Sequence, residues 1–418
     1  MADEISYIPR DIASALDQAL SDTRVVAIQG ARQTGKSTLA RRLVVGRNAR
    51  YLTLDTASVR ESAQANPADF VRQMPEGTLV IDEIQRVPEL LLEIKEVVDI
   101  SNRPGQFLIT GSSDLSSLAE IEESLAGRLE RHELMPFSQQ ELHATSSSLF
   151  NYAFGTGGLP QIKTPALTRA EYLNLAVGGG YPEALTRATS QRRNVWFDNY
   201  LKLLFEQESK KGKYGSTSKQ LERFIEYLAS INGKEAVIDN ISRDLMVKRY
   251  GVEQLLAYFE KIFLVETVPA WSTNLTTRAI KHQKVFLKDS GIVARLLRAN
   301  AGTATDLSSP IAGAIFEAFV FNELRRISSS RDLLLSFSHY RDVRQREVDI
   351  IIENDEGKVL LVEVKAASTV TASDFATIRY LQEMHPEREV CGVVIYTGRT
   401  VLPFGDRQVA LPAQCLWE

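Results

Sequence analysis

The apolar positions of the chain fall first into short unbroken runs. Val25-Val26-Ala27-Ile28, Leu79-Val80-Ile81 and Phe107-Leu108-Ile109 have no polar interruption, the pattern of strands covered on both faces of a parallel sheet. Arg50-Tyr51-Leu52-Thr53-Leu54-Asp55 alternates and predicts a further strand ending in an acid. Helical spacing separates these runs: Ile12 to Leu20, Thr38 to Val44, and an Ala-rich segment to about Met74, closed by the turn Pro75-Glu76-Gly77. Strands alternating with helices predict an α/β domain.

Further on the pattern changes. Ser146-Ser147-Ser148 and the stretch with Gly155, Gly157, Gly158 and Pro160 read as a boundary. Helical spacing follows from Arg169, with Trp196 to Phe205 an apolar-rich helix. Lys210-Lys211-Gly212-Lys213-Tyr214-Gly215 is a basic loop, either solvated or touching a phosphate backbone. Gln220 to Ile231, Ile238 to Met246 and Gly251 to Phe263 are predicted helices; in the last, Leu255, Leu256, Phe259, Ile262 and Phe263 share a face. Two extended stretches, 264–268 and 284–288, complete the pattern of a winged helix, a fold that can read a DNA groove. The third helix carries Glu253, Glu260 and only Lys261, so it makes a poor reader. Lys281, His282 and Lys284 near the ribbon are better candidates, and a packing or protein-contact role is the alternative.

Past residue 300 the reading is a helix over Ile311 to Ile327, strands at 333–337, 347–352 and 359–365, a helix over Ser373 to Met384 and a strand at 390–396. Asn354-Asp355-Glu356-Gly357 joins the second and third strands as a tight turn. The expected division is 1–150, 151–300 and 301–418.

Chemistry enters at Gly30-Ala31-Arg32-Gln33-Thr34-Gly35-Lys36-Ser37, which fits the phosphate-binding P-loop between a strand and a helix. Gly30 and Gly35 let the backbone wrap a phosphate, and the new helix adds its positive end. Lys36 is expected on the β- and γ-phosphates and the Ser37 hydroxyl on Mg²⁺. Ala31, Arg32, Gln33, Thr34 and the following Thr38 complete the nucleotide-binding set; Arg32 pairs with a phosphate or a loop acid. Thr78-Leu79-Val80-Ile81-Asp82-Glu83 is a Walker B-like strand. Asp82 would hold Mg²⁺, and Glu83 would orient and polarise the attacking water. After the next strand, Thr110, Ser112 and Ser113 are candidates to touch the γ-phosphate, Ser112 first among them; capping the following helix is the alternative.

With Ile109-Thr110-Gly111-Ser112-Ser113, Glu123-Ser124-Leu125-Ala126-Gly127-Arg128 and Gly178-Gly179-Gly180-Tyr181-Pro182-Glu183-Ala184-Leu185, the chain resembles the bacterial and archaeal AAA-type ATPases whose C-terminal half is a domain of unknown function. The resemblance spans nearly the whole chain. It implies an additional-strand P-loop fold, ATP and Mg²⁺. Arg128 is then a candidate to act on the γ-phosphate across a subunit boundary, as in a homo-oligomer; a surface or structural role is the alternative.

The last third carries a second constellation. Centred on residue 356, the hairpin places Asp349 and Glu363 opposite one another on one face, with Lys365 sharing it. Two carboxylates and a lysine can bind Mg²⁺ and activate water against a phosphodiester. Asp349…Glu363-Val364-Lys365 resembles the PD-(D/E)xK nuclease superfamily, whose helix-borne metal acid would match Glu317 or Glu323, with Glu317 favoured beside the small residues Gly313 and Ala314. Arg341, Arg344 and Arg346 lie near enough to hold a nucleic-acid backbone. A cross-strand ion pair on a solvated hairpin is the plainer alternative.

Composition narrows the picture little. The 418 residues suggest two or three domains, and 44% hydrophobic with 24% charged residues is ordinary for a globular protein. No apolar run approaches the ~20 residues of a membrane span. The start of the chain lacks a signal-peptide pattern, and Cys391 and Cys415 allow neither a disulfide framework nor a four-cysteine zinc site. A cytoplasmic protein without membrane contact is expected. The net charge of −4 leaves nucleic-acid contact to local basic patches. The full expectation is an α/β P-loop ATPase domain, a helical and winged-helix connector and a restriction-endonuclease-like domain, forming an ATP-regulated DNA nuclease. A non-nucleolytic ATP switch of the defence or toxin–antitoxin type, binding a protein or nucleic acid, is the alternative; a ring-forming nucleic-acid motor is a third.

Overall fold

The computed structural model describes residues 7–112, 125–155, 157–210, 217–272, 282–299, 310–329 and 334–418. The chain forms two compact units. One is Met1–Phe137 with the short pieces Lys261–Phe263 and Ser329–Asp332; the other is Ser138–Glu260, Leu264–Ser328 and Leu333–Glu418.

The first unit is built on a parallel sheet of β1 (Val25–Gln29), β2 (Ala49–Thr53), β3 (Thr78–Asp82), β4 (Phe107–Gly111) and β5 (Leu129–Glu133), in the order β2-β3-β4-β1-β5. An additional strand, β4, thus lies between the P-loop strand and the acid-bearing strand. Alternate residues serve opposite faces. Val26, Ile28, Val80 and Leu108 meet α1 (Ala13–Asp22) and α2 (Lys36–Leu43) through Leu16, Leu20, Leu39 and Leu43. Val25, Ala27, Leu79, Ile81, Phe107 and Ile109 meet α3 (Leu90–Ser101) through Leu90, Leu91, Ile94 and Val98. This double cover explains the unbroken apolar runs. Strand β5, Leu-Glu-Arg-His-Glu, has no such run: it is an edge strand and only partly buried, so hydrophobic pattern did not reveal it.

In the second unit come α4 (Arg169–Gly178), α5 (Ser190–Lys210), α6 (Ser218–Ser230), β6 (Lys234–Glu235), α7 (Ile238–Leu245), α8 (Arg249–Lys261), β7 (Val265–Val268) and β8 (Lys284–Leu287). Helix α6 starts earlier than expected, because Thr217 and Gln220 form a capping box. The expected two-stranded ribbon is a three-stranded sheet, β6-β8-β7. Its extra strand has two residues, too few for a periodic signal. The glycine block at 178–180 is a joint: the Gly180 N–H donates to Asp289 at 2.8 Å, and Asp289 caps α9 (Ser290–Leu296). The glycine-rich stretch near 155–160 lies inside this unit.

Helix α10 (Pro310–Ser329) precedes a six-stranded sheet of β9 (Leu335–Arg341), β10 (Glu347–Asn354), β11 (Val359–Lys365), β12 (Val390–Tyr396), β13 (Leu402–Gly405) and β14 (Gln408–Pro412), ordered β13-β14-β12-β11-β10-β9. Strand β9 is displaced toward the C-terminus from the stretch expected for it; Leu333 lies outside the described residues. The expected helix from Ser373 begins as a 3₁₀ turn, Ala372–Phe375, before α11 (Ala376–Met384). Buried Phe375, Ile378 and Leu381 pack with Ile351, Leu361 and Val394 of the sheet in one core. Ring stacking of Phe286 on Phe321 at 3.9 Å, and the Asn322 amide donating to the Leu287 carbonyl at 3.3 Å, clamp β8 to α10.

Candidate nucleotide site and acidic centre

The loop from β1 to α2 passes through positive φ at Gly30 (144°), Gln33 (63°) and Gly35 (98°). A Cβ at Gly30 would run into the Leu134 carbonyl oxygen, so only glycine fits there. Left-handed residues ahead of a helix N-terminus make an anion-binding concavity. Buried Lys36 donates to the carbonyls of Gly30 at 3.0 Å and Ala31 at 2.7 Å. Burial lowers its pKa from 10.5 to about 8; Glu83 and Asp82 pull upward, and Arg32 adds to the fall.

Strand order brings the acids to this loop. The Ser37 hydroxyl donates to Asp82 Oδ1 at 2.8 Å, and Thr110 donates to the same oxygen at 2.6 Å. Such hard oxygen donors suit Mg²⁺. Thr110 also accepts the Glu83 N–H at 3.0 Å. Glu83 has φ 61°, a left-handed conformation that a non-glycine residue keeps only when its surroundings enforce it. Its carboxylate accepts from Ser112 Oγ at 3.2 Å and from the Gln85 amide, which also donates to Ser112 at 3.0 Å. Ser113, Glu123 and Ser124 lie outside the described residues. Arg128 lies elsewhere. Its carbonyl accepts from Val25, at the start of β1, and its side chain pairs with Asp99. Lys36 follows the other end of that strand.

The second site forms on the β10–β11 hairpin. Its register runs from Glu353↔Val359 to Ile350↔Val362; one more step sets Asp349 across from Glu363. Asp349 Oδ2 accepts the Val364 N–H at 2.9 Å. Lys365 Nζ lies 3.0 Å from Glu363 and 3.8 Å from Asp374. Glu317 of α10 and Glu347 of β10 join this centre through Lys284 of β8. The Lys284 Nζ is 2.9 Å from Glu347, 3.4 Å from Asp349 and 3.5 Å from Glu317, and its side chain is 1% exposed. Burial opposes its charge, but the carboxylates of Glu317, Asp349 and Glu347 outweigh that and hold its pKa above 10.5. Burial and the Asp349 charge push Glu317 and Glu363 up from 4.5, against the pull of the lysines.

Of the two roles the sequence leaves open for Lys284, DNA contact and packing, the structure gives it packing. All four residues of β8 are buried, and a lysine buried there needs the carboxylates it meets. Lys281 and residues 211–216 of the basic loop lie outside the described residues. Glu323 takes other partners, Arg326 at 2.9 Å and the Gln139 N–H at 2.8 Å; burial outweighs Arg326 and lifts it to about 7. Arg346 is bound to Asp342 at 2.6 Å and lies over the Tyr380 ring, while Arg344 is exposed. Among the described residues no three carboxylate, histidine or cysteine side chains are arranged to hold a metal ion. With Lys284 between its carboxylates, the centre does not fit the Mg²⁺ implied by the nuclease resemblance.

Residues 22–143 match the family described as an AAA domain. The first unit carries an AAA-type ATPase domain. Residues 169–303 and 312–416 match two families described as domains of unknown function, DUF8612 and DUF4143. An uncharacterized protein of Mycobacterium tuberculosis and one of Mycobacterium bovis are each 25% identical over 405 residues, covering 97% of this chain and 83% of the relative. Among solved structures, a Walker-type ATPase of Pyrococcus abyssi matches with TM-score 0.42 and 15% identity, over 71% of this chain and 97% of that one. The DnaA of Aquifex aeolicus bound to AMPPCP matches with TM-score 0.28 and 13% identity, over 60% and 85%.

The AAA domain uses residues that sequence reasoning left unassigned. Arg10 is buried, donates to the carbonyls of Thr34 at 2.9 Å and Met135 at 2.6 Å, and lies 4.5 Å over the Phe137 ring. It ties the P-loop to the segment after β5, and no sequence spacing signals this. Gln85 follows Glu83 by two residues, and its amide beside the acid is the signal available in the sequence. Among the described residues no helix is long and apolar enough to cross a membrane.

Proposed function

We propose that the protein is a Mg²⁺-dependent ATPase that works as an ATP-driven switch. The observation that carries this is the Ser37–Asp82 contact beside a Glu83 restrained by Ser112 and Gln85. In this reading the loop N–H groups of residues 30–38 bind the phosphates, and Lys36 exchanges its two carbonyl partners for phosphate oxygens. Ser37 and Asp82 hold Mg²⁺, which supplies neutralisation of the β- and γ-phosphate charge. Glu83 orients the attacking water once Ser112 and Gln85 release its carboxylate, and Ser112 reports the γ-phosphate. Arg128 would serve a neighbouring copy in a homo-oligomer. Nucleotide-binding titrations test the site: Lys36→Ala should lose ATP, and Asp82→Asn should lose the dependence of affinity on Mg²⁺. Unchanged binding in both variants refutes the assignment.

A second reading, an ATP-regulated DNA nuclease with a restriction-endonuclease-like C-terminal domain, is favoured by Asp349 facing Glu363 with Lys365 on the same strand. There Asp349, Glu363 and Glu317 would be the acids and Lys365 the activating lysine. Lys284 weighs against an open nuclease centre, so the switch stands first. Cleavage of single- or double-stranded DNA that is lost in Asp349→Ala and Lys365→Ala would reverse that order.

A further inference from the structure

We infer that the Lys284 ammonium group is a built-in counter-cation occupying the place of a divalent ion between Glu317, Glu347 and Asp349, so that the centre takes up such an ion only when Lys284 is withdrawn. The inference rests on reading these carboxylates as cation ligands, as the nuclease reading does, and does not require cleavage.

Three features support it. Lys284 is delivered by a strand held on several sides: Val285 accepts from Gly233 at 2.8 Å, Gln283 accepts from Ala236 at 2.7 Å, and Leu287 donates to Asn232 at 2.9 Å. The backbone closes tightly on these groups. Gly233 has φ 75°, and a Cβ there would lie 2.6 Å from both Glu317 oxygens, so the loop before β6 closes directly on that acid. The charges are also left unbalanced. Among the described residues four carboxylates, Glu317, Glu347, Asp349 and Glu363, gather around two lysines, Lys284 and Lys365, with Arg341 and His339 adding their pull at Glu347, and the buried Glu317 Oε1 forms no hydrogen bond although Lys284 stands 3.5 Å away. An ammonium has three protons to give. A divalent ion would draw these oxygens in to about 2.0–2.6 Å and satisfy Glu317 as well. The lysine therefore holds the acids together but wider apart than a metal would.

The test is a Mn²⁺ titration of the full chain without nucleotide, read from the paramagnetic resonance of free Mn²⁺. Wild type and Asp349→Asn should give the same isotherm. Lys284→Met should gain one site per chain, lost again in Lys284→Met/Asp349→Asn. Loss of a Mn²⁺ site on introducing Asp349→Asn alone would overturn the inference, as would a folded Lys284→Met without the new site. Circular dichroism monitors folding. Lys284→Gln/Glu347→Gln, which removes one charge of each sign, serves as second variant. If both variants stay unfolded at every Mn²⁺ concentration, the ion cannot replace the ammonium and the inference fails. Absence of DNA cleavage by Mn²⁺-loaded Lys284→Met would remove the nuclease reading and leave the cation exchange standing.

Discussion

Lys36 carries the strongest residue-level consequence. Its charge is held among carbonyl groups in a buried loop, with a pKa near 8. Phosphate oxygens favour the charged form, so nucleotide binding must raise that pKa, and the protonated protein must bind more tightly. ATP affinity should therefore be level near pH 7 and weaken above pH 8, by roughly tenfold per pH unit. A fluorescent ATP analogue titrated between pH 7 and 9.5 reads this directly; a level profile would contradict the burial argument. Arg10 acts one step away. Arg10→Ala leaves the Thr34 and Met135 carbonyls without their donor, a loss of about 2 kcal/mol in unit stability. The KM for ATP should rise roughly tenfold. Arg10→Lys should not restore it, because an ammonium cannot reproduce the two-pronged guanidinium contact. Steady-state kinetics of both variants check this.

At the level of elements, the β10–β11 hairpin shows why the sequence was partly legible. A tight turn fixes register, register fixes facing, and so the pairing of Asp349 with Glu363 followed from counting. Lys284 could not be read that way, since it stands 65 residues from Asp349 and its own strand pattern is only four residues long. The edge strands β5 and β6 were missed for a related reason: with little or no buried run, they carry no periodic signal. The acidic centre also has a stability signature. The folded-state pKa of Glu363 lies above the unfolded value of 4.5, so the native state binds more protons than the unfolded state. Stability must then fall as pH rises above 4.5 through the folded pKa. Glu363→Gln should remove that loss. Thermal melts should show the variant more stable than wild type at pH 8 by about 1 kcal/mol, with the advantage gone at pH 5. An equal advantage at both pH values would mean that the effect is not protonation.

Across the whole molecule, an AAA-type ATPase domain precedes a unit whose acidic centre is occupied by its own lysine. The P-loop and the acid-bearing strand were legible because phosphate chemistry demands residue types at fixed spacing. In the second unit the hairpin spacing made Asp349, Glu363 and Lys365 legible, but Lys284 and Glu347 joined them only where α10, β8, β10 and β11 came together. ATP turnover is read most simply as phosphate release by the full chain with Mg²⁺ and ATP, with Glu83→Gln measured alongside. Wild type should release phosphate only with Mg²⁺, and Glu83→Gln should release it at least roughly a hundredfold more slowly while still binding ATP. Turnover that survives Glu83→Gln unchanged, or a wild type that binds Mg²⁺-ATP without releasing phosphate, would contradict it.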